Sequence, residues 1–275
     1  MTPEADRPRR SALYMPATNA RAIAKARTLA CDVVILDLED AVAPDMKTAA
    51  RHAAADAVRA GGFGSRELVV RVNAPDTPWG ADDLAMVADA RPDAVLLPKV
   101  RAAAELGAVA APVPLWVMVE TPAAALAIAG IAAVPGVAAL VLGLNDLAEA
   151  TGIHPGADRL PFQPLMLQAV LAARAHGVAV LDGVTNAIDD PALFAAEAAQ
   201  ARRFGFDGKT LIHPSQVAPC NAAFSPSPEE IARAMRIVAA FDDPAAADRG
   251  AIRVGGEMVE RLHLARARRT LAQRP

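Results

Sequence analysis

The hydrophobic positions of this chain fall into two alternating textures. Short β-branched runs, apolar at nearly every position, recur along it, and alanine-rich helical stretches lie between them. The runs are Ala12 to Pro16, Val33 to Glu39, Leu68 to Asn73, Ala94 to Lys99, Leu115 to Glu120, Ala139 to Leu144, Ala179 to Asp182 and Gly208 to His213. A strand that is apolar on both faces is packed between two layers, as in a parallel sheet with helices outside it. Eight repeats predict an α/β fold, a closed (β/α)8 TIM barrel. The alternative is an open doubly wound sheet, but no Gly-x-Gly-x-x-Gly follows the first run and no Gly-Lys-Ser/Thr loop occurs.

After His213 the pattern changes. Ser225-Pro-Ser-Pro228 reads as the cap of a helix running from Glu229 to Phe241, and Asp242 to Gly250 reads as a linker. Ala251 to Glu260 predicts a short hairpin with a Gly-Gly turn, and Arg261 to Leu271 a basic amphipathic helix. The expected organisation is therefore a barrel domain over 1–224 and a C-terminal helical and hairpin extension over 225–275, suited to act as a lid or a subunit clasp.

Composition narrows the classes of function. With 275 residues, 53% of them hydrophobic, the chain can bury one large core. Its net charge of -3, with basic residues scattered until the last helical turns, sets up no field for a nucleic acid backbone. Cys31 and Cys220 form no C-x-x-C pair, so they read as reduced structural residues rather than a disulfide framework or a thiolate metal site. The stretch from Met1 to Arg10 is polar and has no apolar core of a secretory signal, which makes a cytoplasmic location the expectation. Thr121 to Ala139 is apolar but is interrupted by Pro122, Pro135 and Gly136, so no membrane span is expected.

Candidate chemistry gathers where the apolar runs stop. Glu120 closes the fifth run and Asp146 the sixth, and barrel strands end at the active-site face, so the two carboxylates read as the seat of a hard divalent cation. For either acid alone, a helix cap or a surface ion pair is the plainer explanation. The second run ends in three acids, and strand alternation puts Asp37 and Glu39 on one face and Asp40 on the other. Carboxylates facing one way need a metal, a water or a proton between them, unless they cap a helix or pair with Arg or Lys.

Arg71 follows another apolar run. Its guanidinium would grip the carboxylate of a small organic acid, or pair internally with Asp37 or Glu39, and the two roles are compatible in a resting enzyme. Lys99 could form a Schiff base, but a metal already supplies an electrophile, so it reads as a supporting ion-pair residue. The histidines show no i,i+4 pairing, and oxygen ligands alone favour Mg2+, or Mn2+. His213 is kept as a candidate because it ends the eighth run, where a barrel loop often receives a ligand tail.

In order along the chain, the segments Arg10-Ser-Ala-Leu-Tyr-Met-Pro16, Leu36-Asp-Leu-Glu-Asp-Ala-Val-Ala-Pro44, Arg71-Val-Asn73, Leu97-Pro-Lys99, Val119-Glu-Thr121, Gly143-Leu-Asn-Asp-Leu147 and Phe206 to Gln216 form a recognisable set. Together they resemble the citrate lyase β-subunit-like proteins of the HpcH/HpaI aldolase superfamily, which includes malyl-CoA and citramalyl-CoA lyases. The resemblance implies a TIM barrel with Glu120 and Asp146 as Mg2+ ligands and Arg71 on the carboxylate of a 2-oxo acid. It also implies an acyl-CoA running over Tyr14, Arg21, Lys25 and the loop after Glu39 towards Ile212 and His213. Arg21 and Lys25, one helical turn apart, can meet phosphates together.

The implied reaction is reversible carbon-carbon cleavage of a 3-hydroxy-acyl thioester, such as malyl-CoA, citramalyl-CoA or citryl-CoA, into an acyl-CoA and a 2-oxo acid. A homo-oligomer, trimer or hexamer, is implied with it. Proton transfer falls to Asp37, Glu39 or Glu260, the last supplied by a neighbouring subunit. Two alternatives stand beside this reading: a thioester-free aldolase releasing pyruvate, which would not need Tyr14, Arg21 and Lys25, and a partner-dependent subunit acting on a thioester held by an acyl carrier protein.

Two departures from the family pattern matter. Pro16-Ala-Thr-Asn19 replaces the usual Pro-Gly-Ser/Asn-Asn, a change expected to stiffen the turn where the pantetheine approaches. In Gly256-Glu-Met-Val-Glu260, a glutamate stands where relatives carry aspartate, and a methylene of extra length can cost about a hundredfold in rate.

Overall fold

Eight parallel strands close on one another in sequential order in the computed structural model, which describes residues 7–109, 111–243 and 249–272. They are β1 (Ser11–Pro16), β2 (Val33–Asp37), β3 (Glu67–Arg71), β4 (Ala94–Leu97), β5 (Leu115–Val119), β6 (Val137–Leu142), β7 (Ala179–Asp182) and β8 (Gly208–Leu211), with β8 pairing back onto β1. The helices between them are α1 (Ala20–Ala26), α2 (Lys47–Ala60), α3 (Gly80–Ala90), α4 (Ala103–Gly107), α5 (Pro122–Ala132), α6 (Leu144–Thr151), α7 (Gln163–His176) and α8 (Pro191–Phe204), followed by α9 (Val217–Phe224). This is the (β/α)8 barrel expected, and the open sheet is excluded.

Alternation along each strand divides the core in two. One set of side chains, including Val33, Ile35, Leu96, Trp116 and Val141, fills the barrel interior. The other, including Val34, Leu36, Val70, Leu97 and Leu140, packs outward against helix residues such as Ile128, Met166 and Phe194. Such residues must be apolar on both faces, which is why the strands read as continuous hydrophobic runs. At the strands' N-terminal end, Arg9 pairs with Glu67 at 2.6 Å and lies over the Trp116 ring, so even the charges there are matched.

Most strands stop one or two residues short of the expected ends. Glu39, Lys99, Glu120 and His213 therefore lie in loops, where their backbone and side chains answer to one another rather than to a ladder. In the sixth run β6 ends at Leu142, and Asp146 sits in the first turn of α6, not at a strand end.

The chain divides into two compact units, Met1–Phe224 and Ser225–Pro275. In the second, Ser227 caps α10 (Pro228–Asp242) by accepting from the Glu230 N–H, while the Glu230 side chain accepts from the Ser227 N–H. β9 (Ala251–Val254) and β10 (Glu257–Glu260) form an antiparallel hairpin, which Gly255 and Gly256 turn with φ of 59° and 92°. The next element is α11 (Arg261–Ala272). Its own small core joins Ile237, Phe241, Val259 and Leu264. The polar start over 1–6, the centre of the linker, 244–248, and the last three residues lie outside the described residues. Among the described residues, no helix is long and apolar enough to cross a membrane, and Cys31 and Cys220 are buried free thiols.

Candidate active site

The parallel register places Asp37 directly beside Arg71 at the C-terminal ends of β2 and β3. Their side chains meet there in a bidentate pair, Arg71 Nε donating to Asp37 Oδ1 at 2.7 Å and Nη2 to Oδ2 at 2.6 Å. The same carboxylate accepts from the backbone N–H groups of Glu39, at 2.9 Å, and Ala41, at 3.2 Å. That short turn folds the chain back on itself. In consequence Glu39 and Asp40 both reach Arg71 Nη1, at 2.8 and 3.2 Å. Strand alternation had separated Asp40 from the other two acids. The strand ends at Asp37, so alternation no longer applies and all three converge on one guanidinium. Tyr14, on β1, lies under that guanidinium, 4.8 Å from ring centroid to Arg71 Cζ, and donates its hydroxyl to Met118 Sδ.

A buried lysine holds this loop from behind. Lys47 Nζ donates to the carbonyls of Leu38 and Glu39 at 2.9 and 2.8 Å and faces the Trp79 ring. Asn73, in the Arg71-Val-Asn73 string, plays a structural part, since its side-chain amide and backbone N–H both donate to buried Asp83. Neither role had a readable signal, because both depend on which helix packs behind the strand.

The second cluster forms across β4, β5 and β6. Thr121 caps α5 by accepting from the Ala124 N–H and donates its hydroxyl to the Val100 carbonyl, so the turn after β5 is fixed to the turn after β4. Glu120, immediately before the cap, is buried and accepts from the Lys99 backbone N–H at 2.7 Å. Gly143 makes room for it: a Cβ there would collide with the Glu120 side chain, coming within 2.8 Å of Oε2. Lys99 Nζ contacts Asp146 and stands 3.5 Å from Glu120 and 3.6 Å from Glu39.

One cation thus already bridges Glu120 and Asp146, which shows that both carboxylates face a common point. Around it, five carboxylates, Asp37, Glu39, Asp40, Glu120 and Asp146, share two cations, Arg71 and Lys99. Burial pushes the Glu39 carboxyl up to about 8, with Asp40 and Glu120 adding to the shift and Arg71 and Lys99 opposing it. Burial likewise pushes Glu120 up to about 7, against the pull of Lys99. Glu39 Oε2 is buried and faces Arg71 Nη1 at 2.8 Å as an ion pair, without the alignment of a hydrogen bond. An excess of acid over base and a glycine-made space for Glu120 suit a hard divalent cation held by oxygen. No group of three or more His, Cys, Asp or Glu arranged for a metal occurs among the described residues. Glu120 and Asp146 are the two acids that the Lys99 ammonium bridges, with Glu39 alongside.

The other candidates lie around this centre or apart from it. Arg21 and Lys25 are exposed on α1, and Asn19 caps that helix by accepting from the Ala22 N–H at 3.0 Å. Ala17 and Thr18 turn the chain without a positive φ, so the glycine of the usual string is not required there. Ile212 and His213 are exposed after β8, and His213 Nδ1 is 2.7 Å from the Ser215 hydroxyl. Gln216 ties that loop to the neighbouring one, accepting from Ile212 N–H and donating to the Thr185 carbonyl. Glu260 belongs to the second unit, at the end of β10, and its backbone N–H donates to His263 Nδ1. A cluster that sequence reading missed sits below the β7 and β8 ends, where fully buried Lys209 and buried Arg159 both bond Asp182.

Fold and site together define an enzyme of the barrel class whose acidic centre, made for a hard cation, lies at the C-terminal ends of β2 to β6. The family model for HpcH/HpaI aldolase/citrate lyase matches residues 10–214, and the chain belongs to that family. It is 49% identical, over 97% of this chain and 94% of the relative, to a (3S)-malyl-CoA thioesterase of Cereibacter sphaeroides. It is 34% identical, over 94% of this chain and 92% of the relative, to an L-malyl-CoA/beta-methylmalyl-CoA lyase from the same species. The solved structure of protein CitE from Mycobacterium tuberculosis, in complex with magnesium, acetoacetate and coenzyme A, superposes with a TM-score of 0.82 at 35% identity, covering 98% of both chains.

Proposed function

We propose that this protein is a Mg2+-dependent carbon-carbon lyase that cleaves a 3-hydroxy-acyl thioester of the malyl-CoA type into an acyl-CoA and a 2-oxo acid. The observation that carries this is the convergence of Glu120 and Asp146 on one point beside Arg71 at the barrel's C-terminal face. Glu120 and Asp146 would hold the ion, which when bound supplies Lewis acidity towards the oxo-acid oxygens. Arg71 places a positive charge next to that point, for the carboxylate of the oxo acid. The hydroxyl proton must leave as the bond between the carbinol carbon and the thioester α-carbon breaks, and a proton must reach that α-carbon. Asp37 is ill suited to carry either, because its oxygens are already committed to Arg71 and two backbone N–H groups. Glu39 is better suited, since burial lets it hold or release a proton near neutral pH. Glu260 of a neighbouring copy is the other carrier. On the thioester side, exposed Arg21 and Lys25 offer charge to phosphates, and Tyr14, Ile212 and His213 offer surface to the pantetheine.

Hydrolysis is a second reading, favoured by one finding: the relative at 49% identity is a thioesterase. The two reactions leave different products. Purified protein with Mg2+ and (3S)-malyl-CoA is expected to release a 2-oxo acid, trapped as its phenylhydrazone, with no free thiol. Free CoA thiol without oxo acid would replace cleavage by hydrolysis, and neither product would overturn the thioester assignment altogether.

A further inference from the structure

Lys99 is held as few lysines are. Its backbone lies in the left-handed region, with φ of 55°, which a residue bearing a Cβ seldom adopts. That conformation, two residues beyond β4, sends two donors to one place. The backbone N–H reaches Glu120 Oε1, and the ammonium contacts Asp146 with Glu120 and Glu39 close by. Arg71 is already committed to Asp37, Glu39 and Asp40. Lys99 is therefore the cation that balances Glu120 and Asp146. Its side chain is 37% exposed, and a flexible four-carbon stem gives the ammonium a way out to water.

We infer that Lys99 is a displaceable internal cation: its ammonium holds Glu120 and Asp146 together in the metal-free protein and gives up Asp146 when a divalent ion enters. This rests on the reading of those two acids as a metal seat. An ammonium and a divalent ion compete for the same oxygens and repel each other at such separations. The lysine must then stabilise the metal-free protein and weaken its hold on the ion, which keeps the metal exchangeable.

The test is calorimetric titration of Mg2+ into wild type, Lys99→Met and Asp146→Asn at pH 8.5, with thermal melting of each protein with and without the ion. Lys99→Met is expected to bind Mg2+ on the order of tenfold more tightly than wild type. It should also melt at a lower temperature without metal, and regain wild-type stability when loaded. Lys99→Gln, neutral but able to hydrogen bond, carries the same expectation and guards against a Met variant that does not fold. Equal or weaker Mg2+ binding by the neutral variants overturns the inference alone. Absence of Mg2+ binding by wild type, with Asp146→Asn indistinguishable from it, overturns the metal reading and the inference together.

Discussion

Glu39 shows how one residue's surroundings set its chemistry. It lies within reach of Arg71 and Lys99, yet its carboxyl stands at about 8, because burial outweighs both cations. The consequence for stability has a definite sign. In the unfolded chain Glu39 loses its proton near its ordinary value of 4.5, whereas the folded protein keeps it until about 8. The stability that Glu39 contributes is thus fully present below 4.5 and is lost as pH rises towards 8, because the folded state binds more protons over that window. Glu39→Gln, neutral throughout, should remove this slope. Melting of the metal-free proteins at about pH 5, 6.5 and 8 is expected to show the variant gaining stability relative to wild type at each step. A constant difference across the series would mean that burial does not control this carboxyl. The same substitution is expected to slow turnover if Glu39 carries a proton.

At the scale of elements, the site depends on where strands stop. Alternating apolar runs were readable because a strand between two layers must be hydrophobic on both faces, and that condition is local. Asp37, Arg71 and Glu120 were readable for the same reason, as charges where such runs end. Asp146 was readable as a residue but not as a helical one, because the end of β6 is set by the reach of its neighbours β5 and β7. The convergence of Asp40 on Arg71 was hidden as well, since it comes from a turn made by Asp37's own side chain, and Lys47 depends on a helix packed behind. Gly143 marks the element boundary in physical terms: it follows the last residue of β6, stands at the N-cap of α6 and gives Glu120 its space. Gly143→Ala should leave the barrel folded, by circular dichroism, while displacing Glu120. An expected loss of about 10–100-fold in Mg2+ affinity is typical of disturbing the support of a metal ligand. Unchanged affinity would show that Glu120 is not held from this side.

For the whole molecule, the open question is what the second unit does for the first. Glu260 ends an exposed hairpin strand, and its carboxylate makes no hydrogen bond or ion pair among the described residues. The family resemblance assigns the residue in this position to the site of a neighbouring copy, so we propose that the extension acts as a clasp between copies of this chain. In a closed ring of such copies, each site would combine Asp146 of one subunit with Glu260 of the next. This can be tested without seeing the assembly. Asp146→Asn and Glu260→Gln are each expected to be inactive alone, the first lacking the metal seat and the second the proton carrier. Co-expressed in equal amounts and purified through two different tags, they should recover activity, because half the subunits keep Asp146 and half of their neighbours keep Glu260. Random assembly, with only mixed rings retained, puts the recovery at about a third of wild type for a trimer and about a quarter for a hexamer. If Glu260 served only its own chain, no mixed ring could contain a complete site, and the co-purified protein would stay inactive. Activity in Glu260→Gln alone would instead give the proton transfer to Glu39.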